Sequence, residues 1–189
     1  MNKKKAFIIV LVLTLTCIFL AGCGNSELGS NNTHAKELGI GEAITADSKL
    51  TMEQIREYSN AAYLLEHYKS VECSVYAECA IDGTVLSDQL FEFKKKNGEI
   101  SMDMKRDKTA TCEHDINELN LGDFLLDNQY EEDGCIIAVF KAGMIDRMGY
   151  QTIEYKLDKD SCLTISTHTE TFLDNQLIVV SDSLCGYNK

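Results

Sequence analysis

The sequence predicts an α+β domain in which one N-terminal amphipathic helix packs on a curved antiparallel β-sheet of about seven or eight strands. Three observations predict it. Apolar residues recur at three- and four-residue steps from Met52 to Tyr68, the spacing of one helix face. At Val71 the period drops to two, and alternation of that kind returns through most of the remaining chain. Dipeptides suited to tight turns, Asp82-Gly83, Asn97-Gly98 and Asp174-Asn175, separate the alternating segments closely enough to join them antiparallel. A helix and a sheet must each bury an apolar face, so a single helix can serve so many strands only if the sheet curls around it.

The helix is expected over residues 52 to 69. Thr51-Met52-Glu53-Gln54 opens it as a capping box, the threonine hydroxyl and the glutamine amide each answering an open backbone donor. Met52, Ile55, Tyr58, Ala62, Leu65 and Tyr68 form its stripe, and the opposite face is not basic, so the stripe suits a sheet better than a membrane surface. Val71 to Ile81 is the first strand, Thr84 to Lys95 the second and Ile100 to Lys105 the third, a meander closed by short turns. From Asp107 to Gly134 no period is sustained. A loop or short helix is expected there, with one extra strand around Thr109 to Glu113, and a connection this long points to a functional role. Strands resume at Cys135 to Lys141, Thr152 to Leu157, Cys162 to Phe172 and Gln176 to Cys185, with a short helix expected after Ala142-Gly143 as far as Gly149.

The 189-residue chain carries a net charge of −12. Lys3-Lys4-Lys5, followed by the mostly apolar Ala6 to Leu20, reads as an export signal. A membrane-spanning helix would need about 20 apolar residues, and Gly22, Gly24, Asn25 and Ser26 end the run too early. Residues 1–22 are therefore assigned to the signal, 23–48 to a Gly-, Asn- and Ser-rich tether and 49–189 to the folded domain. A coil of that length reaches about 25 to 30 Å. An acidic domain repels the phosphates of nucleic acid, so nucleic acid is not expected as a partner.

Leu20-Ala21-Gly22-Cys23 closely resembles the lipobox of bacterial lipoproteins. The resemblance implies cleavage between Gly22 and Cys23, a diacylglyceryl thioether on Cys23, and residence on the extracytoplasmic face of the cell membrane through the covalent lipid. Thiolate nucleophilicity explains why the alkylated residue is cysteine. Setting aside Cys17 and Cys23 leaves Cys73, Cys79, Cys112, Cys135, Cys162 and Cys185. An even number in an exported chain fits disulfides, small buried thiols are the alternative, and sequence cannot choose among the connectivities. Cys73 and Cys79 cannot pair with each other, because six residues along one strand separate them by roughly 20 Å.

The order of a leading helix, a strand, an Asp-Gly hairpin and a late Tyr155-Lys156-Leu157-Asp158-Lys159-Asp160-Ser161 run resembles the half-barrel of LolA-like and LppX-like lipoprotein carriers. That resemblance implies a cavity between sheet and helix for acyl chains, lined here by Phe91, Ile100, Met102 and Ile153, and no catalytic residue. Thr164, Ser166, Thr167 and Thr169 are unusually polar for such a wall. The alternative expectation is an envelope protein–protein interaction module with no ligand cavity, its function on edge strands or on residues 107–134.

No cofactor, metal or enzymatic site is expected. Cys112-Glu113-His114 has no second ligand cluster at a zinc-like spacing, and Asp158-Lys159-Asp160 lacks the glycine and distal glutamate of a calcium loop. Glu131-Glu132-Asp133 reads as a solvated charge run, and His34, His67 and His168 stand apart from one another in sequence. Gly-x-Ser-x-Gly, His-Glu-x-x-His and phosphate-cradling glycine loops are missing. Cys23→Ala is expected to leave an uncleaved precursor or to release the chain from the membrane fraction. Unchanged size and fractionation on immunoblots would count against lipidation.

Overall fold

The computed structural model describes residues 45–110 and 119–189. Eight strands form: β1 (Ser70–Cys79), β2 (Val85–Lys96), β3 (Glu99–Thr109), β4 (Leu125–Glu132), β5 (Cys135–Gly143), β6 (Gly149–Asp158), β7 (Thr164–Leu173) and β8 (Gln176–Asn188). They make one open, curved, antiparallel sheet in the order β3-β2-β1-β8-β7-β6-β5-β4. Chain order therefore runs outward from the centre through β1, β2 and β3, re-enters at the opposite edge as β4, and steps back inward to β8. The first and last strands meet in the middle, registered from Ser70↔Asn188 to Cys79↔Val179.

Hairpin geometry follows from the turn residues. Asn97 and Gly98 have φ of 54° and 85°, Asp133 and Gly134 49° and 75°, and Asp174 and Asn175 48° and 63°. Two consecutive left-handed residues give a turn whose twist matches that of the strands it joins. Aspartate and asparagine tolerate that region best among residues with a Cβ, which explains how the last hairpin forms without glycine. Gly149 is constrained by space instead: a Cβ there would lie 2.6 Å from the Met144 sulfur and 2.6 Å from the Phe172 carbonyl oxygen.

The single helix expected over 52–69 does not form. Two seven-residue helices stand in its place, α1 (Met52–Tyr58) and α2 (Ala61–His67), parted at Ser59 and Asn60. Thr51 Oγ1 accepts from Gln54 N at 3.2 Å, and Gln54 Oε1 accepts from Thr51 N at 2.8 Å. Asn60 Oδ1 accepts from Ala62 N at 2.8 Å and starts the second helix. The apolar spacing crosses the break unaltered, which is why periodicity alone does not reveal it; Ser59-Asn60, two cap-forming residues in succession, is the signal.

Both helices lie on the same face of the sheet, here called the inner face. Ile55 of α1, with Leu50, closes over Ile136, Ala138, Phe140, Ile153, Tyr155 and Leu157 of β5 and β6. Ala61, Leu64 and Leu65 of α2 close over Val71, Cys73, Val75, Phe91 and Phe93 of β1 and β2. A third cluster, Ala77, Cys79, Leu86, Ile178 and Val179, fills the far end of the central strands.

Two further expectations are corrected. The described part of the segment 107–134 is not without strands: it contains the end of β3 and all of β4, which pairs with β5 from Leu125↔Lys141 to Glu132↔Cys135. Asp127-Asn128-Gln129 and a bulge between Leu126 and Asn128 break the alternation on this edge strand, so the period is lost exactly where the strand needs no second neighbour. Residues 145–148 form bends rather than a short helix, held by Ile145 N donating to Asn120 O at 2.8 Å. Most of the extra strand expected around Thr109 to Glu113 lies outside the described residues, as do the signal, Cys23, nearly all of the tether, Cys112 and His114. No helix among the described residues is long and apolar enough to cross a membrane.

Tyr155 shows the packing limit of the core. Its ring is fully buried and meets Phe140 edge-on at 6.0 Å, while its hydroxyl has no partner among the described residues. Burial pushes the phenol pKa up. Tyr155→Phe removes only the unpaired hydroxyl, so stability is expected to stay the same or to rise by about 1 kcal/mol. Phe140→Ala is expected to lose about 3–5 kcal/mol, and urea unfolding of the two variants checks both.

Candidate functional site

Directly paired residues on neighbouring strands share a face, so the register maps the inner face strand by strand. Between the clusters under α1 and α2 that face is polar. Thr164, Thr167, Thr169 and Thr171 of β7 and Ser181 and Ser183 of β8 are all buried. Ser59 and Thr164 hydroxyls meet at 3.0 Å, Thr167 and Ser183 at 2.6 Å, and Gln151 Nε2 donates to Thr171 Oγ1 at 2.9 Å.

Besides the Tyr155 hydroxyl, three buried hydroxyls have no partner among the described residues: Thr169 Oγ1, Ser181 Oγ and Ser87 Oγ. They fall on one row across the sheet, because Thr169 pairs with Ser181, Ser181 with Ala77, and Ala77 with Ser87. Gln89, on the adjacent row, donates from Nε2 to Asp107 at 2.9 Å and keeps an unpartnered Oε1. Hydroxyls can donate and accept, and leaving one unmet in the interior costs about 1–3 kcal/mol. Thr164, Thr167 and Thr169 belong to the polar strand that the sequence singles out, whereas a bulge at Ile165 puts Ser166 on the opposite face. Ser87, Gln89, Ser181 and Ser183 carry no sequence signal, since short polar side chains on an alternating strand ordinarily mark the solvated face.

The four residues expected to line one apolar cavity are not brought together. Phe91 lies in the cluster under α2 and Ile153 in the cluster under α1. Ile100 and Met102 are 36% and 44% exposed on β3. Clefts of about 500 Å³ and 360 Å³ open beside the end of α2, where His67, Tyr68 and Lys189 belong to both. The larger is lined by Glu66, Lys69 and Lys95 as well, groups unsuited to an acyl chain.

The two edges differ. At β4, the Gln129 amide receives a hydrogen bond from Leu50 N at 3.2 Å and donates to the Thr45, Ala46 and Ser48 carbonyls, so the segment before α1 is tied to that strand. Strand β3 has β2 as its only neighbour in the sheet among the described residues. Met102 pairs with Phe93 and Met104 with Phe91, so Ile100, Met102 and Met104 extend the apolar inner face beyond the reach of α2.

On the outer face His168 of β7 sits between acids. Its Nδ1 is 2.7 Å from Asp182 of β8, its Nε2 is 3.7 Å from Glu170, and Glu154 of β6 is its paired neighbour. Burial lowers the imidazole pKa, but the Asp182 hydrogen bond and the charges of Asp182 and Glu170 together outweigh it and hold it above its ordinary value. Among the described residues no cluster of three or more His, Cys, Asp or Glu side chains is arranged to hold a metal ion. Because the folded state raises this pKa, the contribution to stability is complete below the unfolded imidazole value and disappears as pH rises through the higher folded one. With the side chain 43% exposed, less than about 1 kcal/mol is at stake. His168→Gln is expected to reduce the loss of thermal stability between about pH 5 and about pH 8, measured by melting curves.

A comparison with known protein families matched none, and a search of the curated proteins found no match to this chain.

Proposed function

We propose that this chain is a non-enzymatic lipoprotein of the extracytoplasmic membrane face, anchored through Cys23, whose sheet docks an envelope protein along strand β3. The anchor rests on the Leu20-Ala21-Gly22-Cys23 run and the apolar segment before it. The observation that carries the docking role is the β3 edge, unpaired and exposed along nearly its whole length among the described residues, with Ile100, Met102 and Met104 aligned on its inner face. A partner that adds an extended segment there gains backbone hydrogen bonds from the edge and side-chain contacts with the methionines, whose flexible thioethers adapt to varied shapes. The β4 edge, tied through Gln129 to the segment before α1, is the less accessible of the two, which favours β3 for docking.

A second reading follows from the resemblance to half-barrel carriers, with the inner face holding a ligand. The row of unmet hydroxyls on Thr169, Ser181 and Ser87 favours it, and favours a ligand with polar groups over bare acyl chains. Native mass spectrometry of the protein extracted from cells separates the readings, because only the second yields a co-purified small molecule.

A photo-crosslinking residue placed at Met102 is expected to capture one discrete envelope protein in intact cells. Adding Met104→Lys, a charge of the kind that keeps natural sheet edges unpaired, should remove that adduct. If labelling at Met102 is no different from labelling at the exposed Leu184 on the outer face, the docking role fails.

A further inference from the structure

Cys73 and Cys185 are paired neighbours across β1 and β8, at the middle of the sheet where the first strand meets the last. They are 112 residues apart in sequence, and their sulfurs are 3.6 Å apart. No disulfide joins the described cysteines. We infer that this pair is a redox modification site, oxidised to a cross-strand disulfide by an exported oxidant that itself carries a protein disulfide.

Backbone geometry is already suitable. Directly opposed residues in an antiparallel pair have Cα atoms about 4.5–5.5 Å apart, within the roughly 4.4–6.8 Å that a disulfide spans. Side-chain rotation has only to bring the sulfurs from 3.6 Å to about 2.05 Å. The other described strand cysteines lack a thiol opposite: Cys79 pairs with Val179, and Cys135 with Asp158. A metal is a poorer occupant, since no third ligand gathers with the two thiols among the described residues.

The surroundings set the order of events. Cys185 is half-buried, whereas Cys73 is only 2% exposed beneath α2. The hydrogen bond to Cys185, followed by burial, pushes the Cys73 pKa up, so this thiol keeps its proton. Cys185 is thus the residue an oxidant reaches. Its thiolate attacks one sulfur of the oxidant's disulfide, the oxidant's S–S bond breaks, and the departing thiolate is protonated. Cys73 then gives up its proton and attacks Cys185 Sγ, breaking the mixed disulfide and releasing the oxidant's second thiol. Two thiols of this chain are oxidised and one disulfide of the oxidant is reduced to two thiols.

A bond at this position joins the two strands that hold the halves of the sheet together. It closes a loop of over a hundred residues in the unfolded chain, the case in which a crosslink restricts that chain most. The presence of an oxidant rests on the export reading, but the reactivity of the pair does not.

The test uses the full chain, extracted in detergent, reduced, and equilibrated across glutathione redox buffers. Samples are quenched in acid, unfolded and alkylated. Cys73 and Cys185 should lose alkylation together, a peptide joining them should appear in a non-reducing digest, and the melting temperature should rise on the order of 10 °C. Cys185→Ser should abolish the linked peptide and the shift, while Cys135→Ser should leave both. Cys73 and Cys185 staying alkylatable in the most oxidising buffer, or linking to other cysteines instead, would overturn the inference. The titration is done outside the cell, so its failure is distinct from a failure of the export reading, which fractionation of Cys23→Ala addresses.

Discussion

The pairing of β1 with β8 is the constraint on which the rest of the structure depends. Ten successive residue pairs, from Ser70↔Asn188 to Cys79↔Val179, join segments from opposite ends of the domain. Remove it and the sheet falls into a three-stranded meander, β1 to β3, and a five-stranded one, β4 to β8. Neither has a closed core of its own: α2 covers β1 and β2 but also meets Tyr187 and Leu163 from the other half. Contacts this distant in sequence incur their loop entropy before they stabilise anything, so this seam carries a large loop-closure cost.

The seam also explains the uneven inner face. Two seven-residue helices, each about 10 Å long, cannot cover eight strands. One sits over β5 and β6 and the other over β1 and β2, and Thr167, Thr169, Ser181 and Ser183 of β7 and β8 lie between them. Small hydroxyl residues fill this strip and are as buried as the apolar residues on either side of it. At the periphery, β4 gains the Thr45–Leu50 segment through Gln129, while β3 keeps its methionines in solvent.

Much of the local structure was legible. Asn97-Gly98 and Asp174-Asn175 mark turns because their side chains permit left-handed backbone, and alternation from Val71 to Cys79 marks a strand because one face is buried and the other wet. The break at Ser59-Asn60 was hidden because the apolar stripe on either side keeps the same spacing. Strand β4 was hidden because an edge strand with a bulge needs little alternation to be held by one neighbour. Phe91, Ile100, Met102 and Ile153 are spread apart for a different reason: all four face the same side of the sheet, but strand order places them from one edge across to β6.

By itself the sequence determined which stretches extend, where they turn and which side of each strand is apolar, since those choices depend on backbone preferences acting over a few residues. Read by the same local logic, the mostly apolar first segment ends at Leu20-Ala21-Gly22-Cys23. Only the tertiary structure decided that β8 inserts beside β1, that Cys185 lies opposite Cys73, and that the methionines of β3 stand on the last strand of the sheet. Those outcomes depend on which strand finds which neighbour. That selection comes from burying the inner faces of remote segments together, which no short window of residues encodes.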